Sequence, residues 1–238
     1  LLNLINLRLV QINKKYLIEK NLFFSEKIIL KEVIKSEKPI IIDVGGHLGS
    51  STSLYKKLFP SSNIYVFEPA NDNFKYLKNK FKKNTDIKIF KKAIGNQTIK
   101  KDFYIFSDYS SGNSLIKSTN NTEIKKKYKV DIIKLDNFCK KNKISSIDYL
   151  KLDTQGNEFD CLIGAKKLIR KNKIKFIKCE FMFHNFYDKS DTFNKVNNFL
   201  YKNNFLIRDI CLIKKSIIKM RTNLIDVIYE LDIKDGKN

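Results

Sequence analysis

The 238 residues suffice for one α/β domain with a sizeable core, and the shares of hydrophobic (42%) and charged (30%) residues exclude a disordered or fibrous chain. The formal net charge of +22 comes from lysines scattered along the whole sequence, with only four arginines, which favours a solvated surface over a specific nucleic-acid site. Four widely spaced cysteines without a C-x-x-C pair, and no apolar run of about 18 residues, predict no metal site, no disulfide framework and no transmembrane segment.

Residues 1–36 are predicted to form a helical lead-in, and residues 37–238 a single domain. Apolar residues such as Leu17, Ile28 and Val33 recur between lysines at mixed helical spacing. The opening ten residues are apolar, but polar residues interrupt them and no small-residue cleavage site follows, so we expect an amphipathic helix rather than a signal peptide. Together with cysteines expected to be buried and reduced, this predicts a cytoplasmic protein.

From Pro39 onward, short apolar runs alternate with segments of helical spacing. Ile40–Val44 is β-branched and ends in glycines, as expected of a buried parallel strand that enters a tight turn. The next predicted elements are helices at Ser50–Phe59 and Asn71–Lys82, strands at Asn63–Glu68 and Ile87–Ala93, and an extra antiparallel strand at Thr98–Phe106. A polar loop at residues 107–121 follows, of the kind that carries function in many domains.

The second half of the chain continues the alternation. Strands are predicted at Val130–Leu135, Ile147–Asp153 and Ile174–Phe181, and helices at Asp136–Lys141, with Asp136 as its cap, Asn157–Ile169 and Asp191–Tyr201. Two apolar runs, Phe205–Ile213 and Leu224–Leu231, close the chain as a predicted antiparallel pair. The fold class is therefore α/β: a Rossmann-like, mostly parallel sheet of about seven strands, with helices on both faces and a C-terminal antiparallel strand pair. Ligands of such sheets bind beyond the carboxyl ends of the strands.

A glycine-rich turn follows the first predicted strand, with the sequence Asp43-Val44-Gly45-Gly46-His47-Leu48-Gly49. Glycines let the backbone approach a ligand closely, and the helix that begins after Gly49 offers free N–H groups. The spacing is G-G-x-x-G rather than a complete G-x-G-x-x-G, so an ordinary glycine-rich turn is the alternative.

An acidic residue, Glu68, ends the second predicted strand and precedes Pro69. A carboxylate at this place accepts hydrogen bonds from the ribose hydroxyls of a bound nucleoside. A surface acid that caps the next helix is the alternative, although the glycine turn before it favours the nucleoside site.

These two motifs belong to a longer series. Ala93-Ile94-Gly95, Ile133-x-Leu135-Asp136 and, above all, the block from Ile147 to Glu158 follow them in order. The series resembles the FkbM methyltransferase family over roughly residues 40–182. The resemblance implies S-adenosylmethionine as cofactor and O-methylation of a small molecule, often a sugar or a polyketide-like natural product.

The resemblance also implies roles for single residues. Four residues of the glycine turn would line the methionine part of the cofactor, Glu68 would hold the ribose, and Ala93 would lie near the adenine; the four are Asp43, Gly45, Gly46 and Gly49. The sequence departs from the family at His47, where a small or amide residue is usual, and at Gln155, where Glu is common. The second departure removes a carboxylate beside Asp153.

Methylation of an alcohol is helped by a base that removes the hydroxyl proton. The candidates at strand ends are Asp153, Glu158, Glu180 and His184, and we select Asp153, Glu158 and His184 as predicted catalytic residues. Asp153 is the first choice, as base or as acceptor anchor. Glu158 could instead stabilise a helix N-terminus, and His184 could be an ordinary loop histidine.

Two other functions stay open at this stage. A NAD(P)-dependent Rossmann oxidoreductase would also need a glycine turn and a ribose-binding acid, but the fingerprint is incomplete and no separate catalytic domain is visible. A catalytically inactive methyltransferase fold that binds an anionic polymer would use the lysine excess. The expected partner under the favoured hypothesis is a small-molecule or glycan acceptor.

Overall fold

The structure is a computed structural model that describes residues 26–106, 113–117, 124–183, 193–215 and 222–233. Within these ranges, no helix has the length and apolar character that crossing a membrane requires. Of the predicted lead-in at residues 1–36, the described part is the helix α1 (Glu26–Val33) and the segment that joins it to the first strand.

Seven strands form one sheet in the order β3-β2-β1-β7-β8-β10-β9. The strand β10 runs antiparallel to both of its neighbours, and the other neighbouring pairs are parallel. This arrangement confirms the predicted fold class. The strands are β1 (Ile40–Val44), β2 (Asn63–Phe67), β3 (Ile87–Phe90), β7 (Ile147–Leu152), β8 (Ile174–Met182), β9 (Phe205–Lys215) and β10 (Thr222–Leu231).

Helices cover both faces of this sheet. The helices α1, α2 (Ser50–Leu58) and α3 (Asn71–Lys80) pack on one face, where Leu30, Tyr55 and Leu77 share a core with the sheet. On the other face, the core includes Phe138, Leu162, Ile169 and Val196. These residues belong to helices α4 (Leu135–Lys141), α5 (Glu158–Gly164), α6 (Lys166–Arg170) and α7 (Phe193–Tyr201). Central strands are buried on both sides because both faces are covered: all six residues of β7 are buried.

A second sheet of three strands lies beside the large one, in the order β4-β6-β5. Its strands are β4 (Ala93–Ile94), β5 (Ile99–Ile105) and β6 (Lys126–Ile133). The prediction of one strand at Ile87–Ala93 was therefore wrong, because the chain turns after Phe90, where the Lys92 N–H donates to the Phe90 carbonyl at 2.9 Å. The turn sends Ala93 into the small sheet, which has a core of its own.

Two other predictions need correction. The helix predicted at Asn157–Ile169 breaks at Ala165 into α5 and α6. Asp136 does not cap its own helix, whose N-cap position is Lys134. Its carboxylate instead accepts the backbone N–H groups of Lys167 and Leu168, both at 3.0 Å, and so satisfies the first turn of α6.

A buried polar network connects α1 to the sheet. The Glu26 carboxylate accepts hydrogen bonds from the hydroxyls of Tyr55 and Tyr149, both at 2.7 Å, and from the Lys178 ammonium at 2.8 Å. The same ammonium lies 2.9 Å from the Asp226 carboxylate on β10. One lysine on β8 therefore joins the first described helix to the last described strand.

Candidate functional site

A cleft opens at the carboxyl ends of β1, β2 and β7, which is the edge where the sequence predicted a ligand. The polar part of its wall includes Gly45, His47, Glu68, Asn73, Asp153, Thr154, Gln155 and Asn157. The apolar part includes Phe67, Ala93, Ile94, Phe103 and Leu115. Of the predicted cofactor and catalytic residues, Gly45, Glu68, Ala93 and Asp153 thus meet in one cleft.

The turn after β1 packs closely against the backbone at the ends of β2 and β7. The N–H groups of Gly45 and Gly46 donate to the Phe67 carbonyl at 2.9 and 3.1 Å. Gly45 has φ of 84°, and a Cβ atom there would lie 1.9 Å from the Asp153 carbonyl oxygen. Only glycine fits this backbone, so the turn exposes main chain to the cleft beside Asp153.

Gly46 and Gly49 serve the packing beneath that turn. A Cβ atom on Gly46 would lie 2.3 Å from Val66, and one on Gly49 would lie 2.7 Å from Phe81. Among the described residues, neither glycine belongs to the cleft wall. Their contribution to a ligand site is to set the path of the turn.

Asp43 lies below the cleft, completely buried. Its carboxylate accepts the Thr52 hydroxyl at 2.7 Å and the Lys151 ammonium at 2.9 Å. Lys151 also donates to the Gly45 carbonyl at 2.9 Å. Burial opposes ionisation of this lysine, but the charges of Asp43 and Asp153 raise its pKa, so it stays cationic under the turn.

Glu68 presents its carboxylate at the end of β2. One oxygen accepts the His47 N–H at 2.7 Å, and the other accepts the Ala70 N–H at 2.8 Å. The Asn73 side chain also donates to this carboxylate, whose four lone-pair positions still leave room for a further donor such as a ligand hydroxyl. Burial raises the pKa of Glu68. His47, with φ of 46°, is held by its backbone to this carboxylate and also lines the cleft.

Asp153 lies at the end of β7 with a side chain about one-third exposed. Its Oδ2 atom is 3.4 Å from the Lys151 ammonium, and its Oδ1 atom accepts the Gln155 amide at 2.9 Å. Burial would raise the pKa of Asp153, but the Lys151 charge and the Gln155 hydrogen bond hold it below its ordinary value. The same Gln155 amide nitrogen donates to Glu180 at 2.7 Å, so one side chain bridges two carboxylates.

Glu158 lies under the Thr154–Gly156 turn and is 1% exposed. Its Oε1 atom accepts the Thr154 N–H at 2.8 Å, the Thr154 hydroxyl at 3.0 Å and the Gly156 N–H at 3.3 Å. Its Oε2 atom is buried and has no hydrogen-bond partner in the described part of the chain. Burial raises the pKa of Glu158 to about 7. The carboxylate contacts the turn, and Glu158 is not among the described residues that line the cleft.

The small sheet and the 113–117 segment add Phe103 and Leu115 to the apolar wall, and neither residue was predicted from the sequence. Phe103 comes from β5, and Leu115 follows Ser114, whose hydroxyl donates to the Gln155 carbonyl at 2.9 Å. The polar loop predicted at residues 107–121 was the only signal for this contact. His184 lies outside the described residues. Within the described ranges, no group of three or more His, Cys, Asp or Glu side chains could hold a metal ion.

These features define the ligand that the cleft suits. The apolar wall fits a flat ring, the Glu68 carboxylate accepts hydroxyl donors, and the ionised Asp153 favours a cationic group beside the Gly45 backbone. A nucleoside with a positively charged substituent combines these three properties.

Comparisons with known proteins give a family and relatives with which this chain shares sequence. Residues 43–207 match the family model of the methyltransferase FkbM domain. The 2-O-methyltransferase NoeI of Sinorhizobium fredii is 22% identical over 168 residues, which are 66% of this chain and 68% of that protein.

Solved structures share the fold at low identity. Methyltransferase FkbM from Methylobacillus flagellatus KT gives a TM-score of 0.53 at 14% identity over 82% of this chain, and the match spans only 44% of that protein. An rRNA methylase from Streptococcus thermophilus gives 0.50 at 11% identity, over 86% of this chain and 93% of that protein.

Proposed function

Since the chain belongs to the FkbM methyltransferase family, we propose that it is an S-adenosylmethionine-dependent enzyme that O-methylates a hydroxyl of a sugar, a glycan or another small natural product. The observation that carries the proposal is the meeting of Gly45, Glu68, Ala93 and Asp153 in one cleft at the strand ends. The name of the relative NoeI supports oxygen as the methylated atom. The relatives named above are methyltransferases, which favours this proposal over the oxidoreductase alternative.

The residues of the cleft fit this cofactor. Glu68 would accept the ribose hydroxyls, Ala93 with Phe103 and Leu115 would enclose the adenine, and the Gly45 backbone would lie against the methionine part. Asp43, Gly46 and Gly49 would act from below, by holding the turn in place. When bound, the cofactor supplies a methyl group already activated by its attachment to a sulfonium.

The remaining task of the protein is to align the acceptor and to exclude water. Asp153 suits the first part, because a carboxylate whose pKa is held low stays ionised and accepts a hydrogen bond from a hydroxyl. The same low pKa makes it a weak base. We therefore assign Asp153 to anchoring and Glu158 to support of the Thr154–Gly156 turn, which forms part of the cleft wall.

Calorimetric titration with S-adenosylhomocysteine tests the proposal. We expect micromolar binding by the wild-type protein, none of NADH, and at least tenfold weaker binding by Glu68→Gln, which keeps the shape but loses the charge that attracts ribose hydroxyls. Asp72→Asn, an exposed acid on α3, is the matched control and should bind like the wild type. Absence of S-adenosylhomocysteine binding by the folded protein would refute the proposal.

A further inference from the structure

We propose that Glu180 is the base that takes the proton of the acceptor hydroxyl, an inference that rests on the proposed function. Glu180 lies near the carboxyl end of β8, and the parallel register of β7 with β8 brings it beside Asp153. The Gln155 amide nitrogen lies 2.9 Å from Asp153 Oδ1 and 2.7 Å from Glu180 Oε2. One amide thus holds two carboxylates at neighbouring strand ends.

The order of the strands gives these carboxylates different neighbours. Along the carboxyl edge of the sheet, Glu68, Gly45 and Asp153 come from β2, β1 and β7 and line the cleft. Glu180 comes from β8, the next strand, on the far side of Asp153 from the nucleoside end. With a cofactor bound in the cleft, an acceptor beside Asp153 would have to approach from the β8 side, where Glu180 lies.

The two carboxylates differ in the charged groups that surround them. The Lys151 ammonium lies 3.4 Å from Asp153, whereas Glu180 forms no ion pair with any of the side chains that the structure describes. Directly across from Glu180 on β10 is Asp226, whose carboxylate is engaged by Lys178 at 2.9 Å. Among the described side chains, Glu180 is therefore the carboxylate of this pair without an ion-pair partner.

Its protonation follows from these surroundings. Burial raises the pKa of Glu180 to about 8, and the charges of Asp153, Asp226 and Glu158 act in the same direction, while Lys151 acts against them. A general base works best when its pKa lies near the ambient pH, since it must both be ionised and bind the proton well. Asp153 fails the second requirement, and Glu180 meets both.

In the proposed step, methyl transfer and proton transfer accompany each other. The acceptor oxygen forms a bond to the methyl carbon, the bond from that carbon to sulfur breaks with its electron pair on sulfur, and the hydroxyl proton passes to the Glu180 carboxylate. Glu180 then returns the proton to solvent. The Gln155 amide keeps the carboxylate in place throughout, because it can donate to Glu180 in either protonation state.

Carbon NMR of protein labelled at the glutamate carboxyl carbons tests the proposal without any acceptor. We expect one resonance, absent from Glu180→Gln, that titrates with a midpoint near pH 8, and a lower midpoint in Asp153→Asn, where a negative neighbour is lost. Glu230→Gln, a surface acid on β10, is the matched control and should leave that resonance unchanged. A midpoint near the ordinary glutamate value would overturn the proposal, because Glu180 would then be no better a proton acceptor than Asp153.

Turnover supplies the second readout, with S-adenosylhomocysteine release measured on a panel of methyl glycosides. With any glycoside that is methylated, we expect Glu180→Gln to lower kcat by about 10² to 10⁴-fold and to remove the rise of kcat toward pH 8. Its affinity for S-adenosylhomocysteine should stay within about twofold of wild type, as only the base is changed. An unchanged kcat or pH profile overturns the assignment of Glu180, whereas failure of the wild type to bind S-adenosylhomocysteine refutes the proposed function instead.

Discussion

At the scale of single residues, Glu158 makes the folding stability depend on pH. In the unfolded chain this carboxyl ionises near its ordinary pKa, whereas the folded protein keeps the proton up to about pH 7. The stabilisation is therefore complete at pH values below the ordinary pKa and is lost as the pH rises to about 7. The shift corresponds to about 3 kcal/mol of unfolding free energy.

Replacement of this acid by its amide removes the dependence. For Glu158→Gln, we expect the fall in unfolding free energy between about pH 5 and about pH 8 to be smaller than in wild type by about 2 kcal/mol, because nothing ionises at the buried position. Urea denaturation at the two pH values measures this. Glu37→Gln, at an exposed position, should follow the wild type. Parallel curves for Glu158→Gln and wild type would contradict the burial described for this carboxylate.

The convergence of the predicted site residues could be read from the sequence, but the orientation of their side chains could not. Gly45, Glu68 and Asp153 follow strands, and strand ends meet at one edge of a parallel sheet, so their convergence could be predicted. The burial of the Asp43 carboxylate depends on Lys151, which lies 108 residues further along the chain. No local pattern indicates such a partner.

At the scale of elements, Asp136 stabilises a helix to which it does not belong. Its carboxylate accepts two N–H groups of the first turn of α6. We expect Asp136→Ala to lower the unfolding free energy by about 1 kcal/mol, because such donors lose their partner, and urea denaturation measures the change. Asp72→Ala, an exposed acid in the first turn of α3, should change it by less than about 0.5 kcal/mol. Equal effects of the two substitutions would show that Asp136 acts only through its charge.

The elements themselves were largely predictable, because helical spacing and β-branched runs are local signals. Which elements would pair or pack with each other was harder to predict. The division of the predicted Ile87–Ala93 strand between two sheets follows from pairing with β2 on one side and with β6 on the other. The break at Ala165 likewise serves the contact of α6 with Asp136, which lies about 30 residues earlier.

At the scale of the whole molecule, two glutamates of α1 connect this helix to the far half of the sheet. Glu26 lies in the buried network with Lys178, whereas Glu32 lies 3.1 Å from Arg208 at the surface, with a side chain 66% exposed. We expect Glu26→Gln to cost about 3 kcal/mol of unfolding free energy, since it leaves a buried lysine with less compensation. Glu32→Gln, the matched control, should cost less than about 1 kcal/mol.

Chemical denaturation at low and high salt compares the two. The small effect of Glu32→Gln should vanish at high salt, because exposed charges are screened, while that of Glu26→Gln should persist. A Glu26→Gln protein as stable as wild type would mean that α1 is held to the sheet by its apolar face alone.

The position of β10 also decides when this protein can complete its sheet during synthesis. In space β10 separates β8 from β9, yet it leaves the ribosome after both. Until Thr222–Leu231 has emerged, β9 has no strand to join and β8 presents an open edge that carries Lys178 and Glu180. Open edges of this kind invite pairing with other chains, so chaperones would be needed most at this stage of translation. A premature stop before β10 would also cost the sheet two strands rather than one.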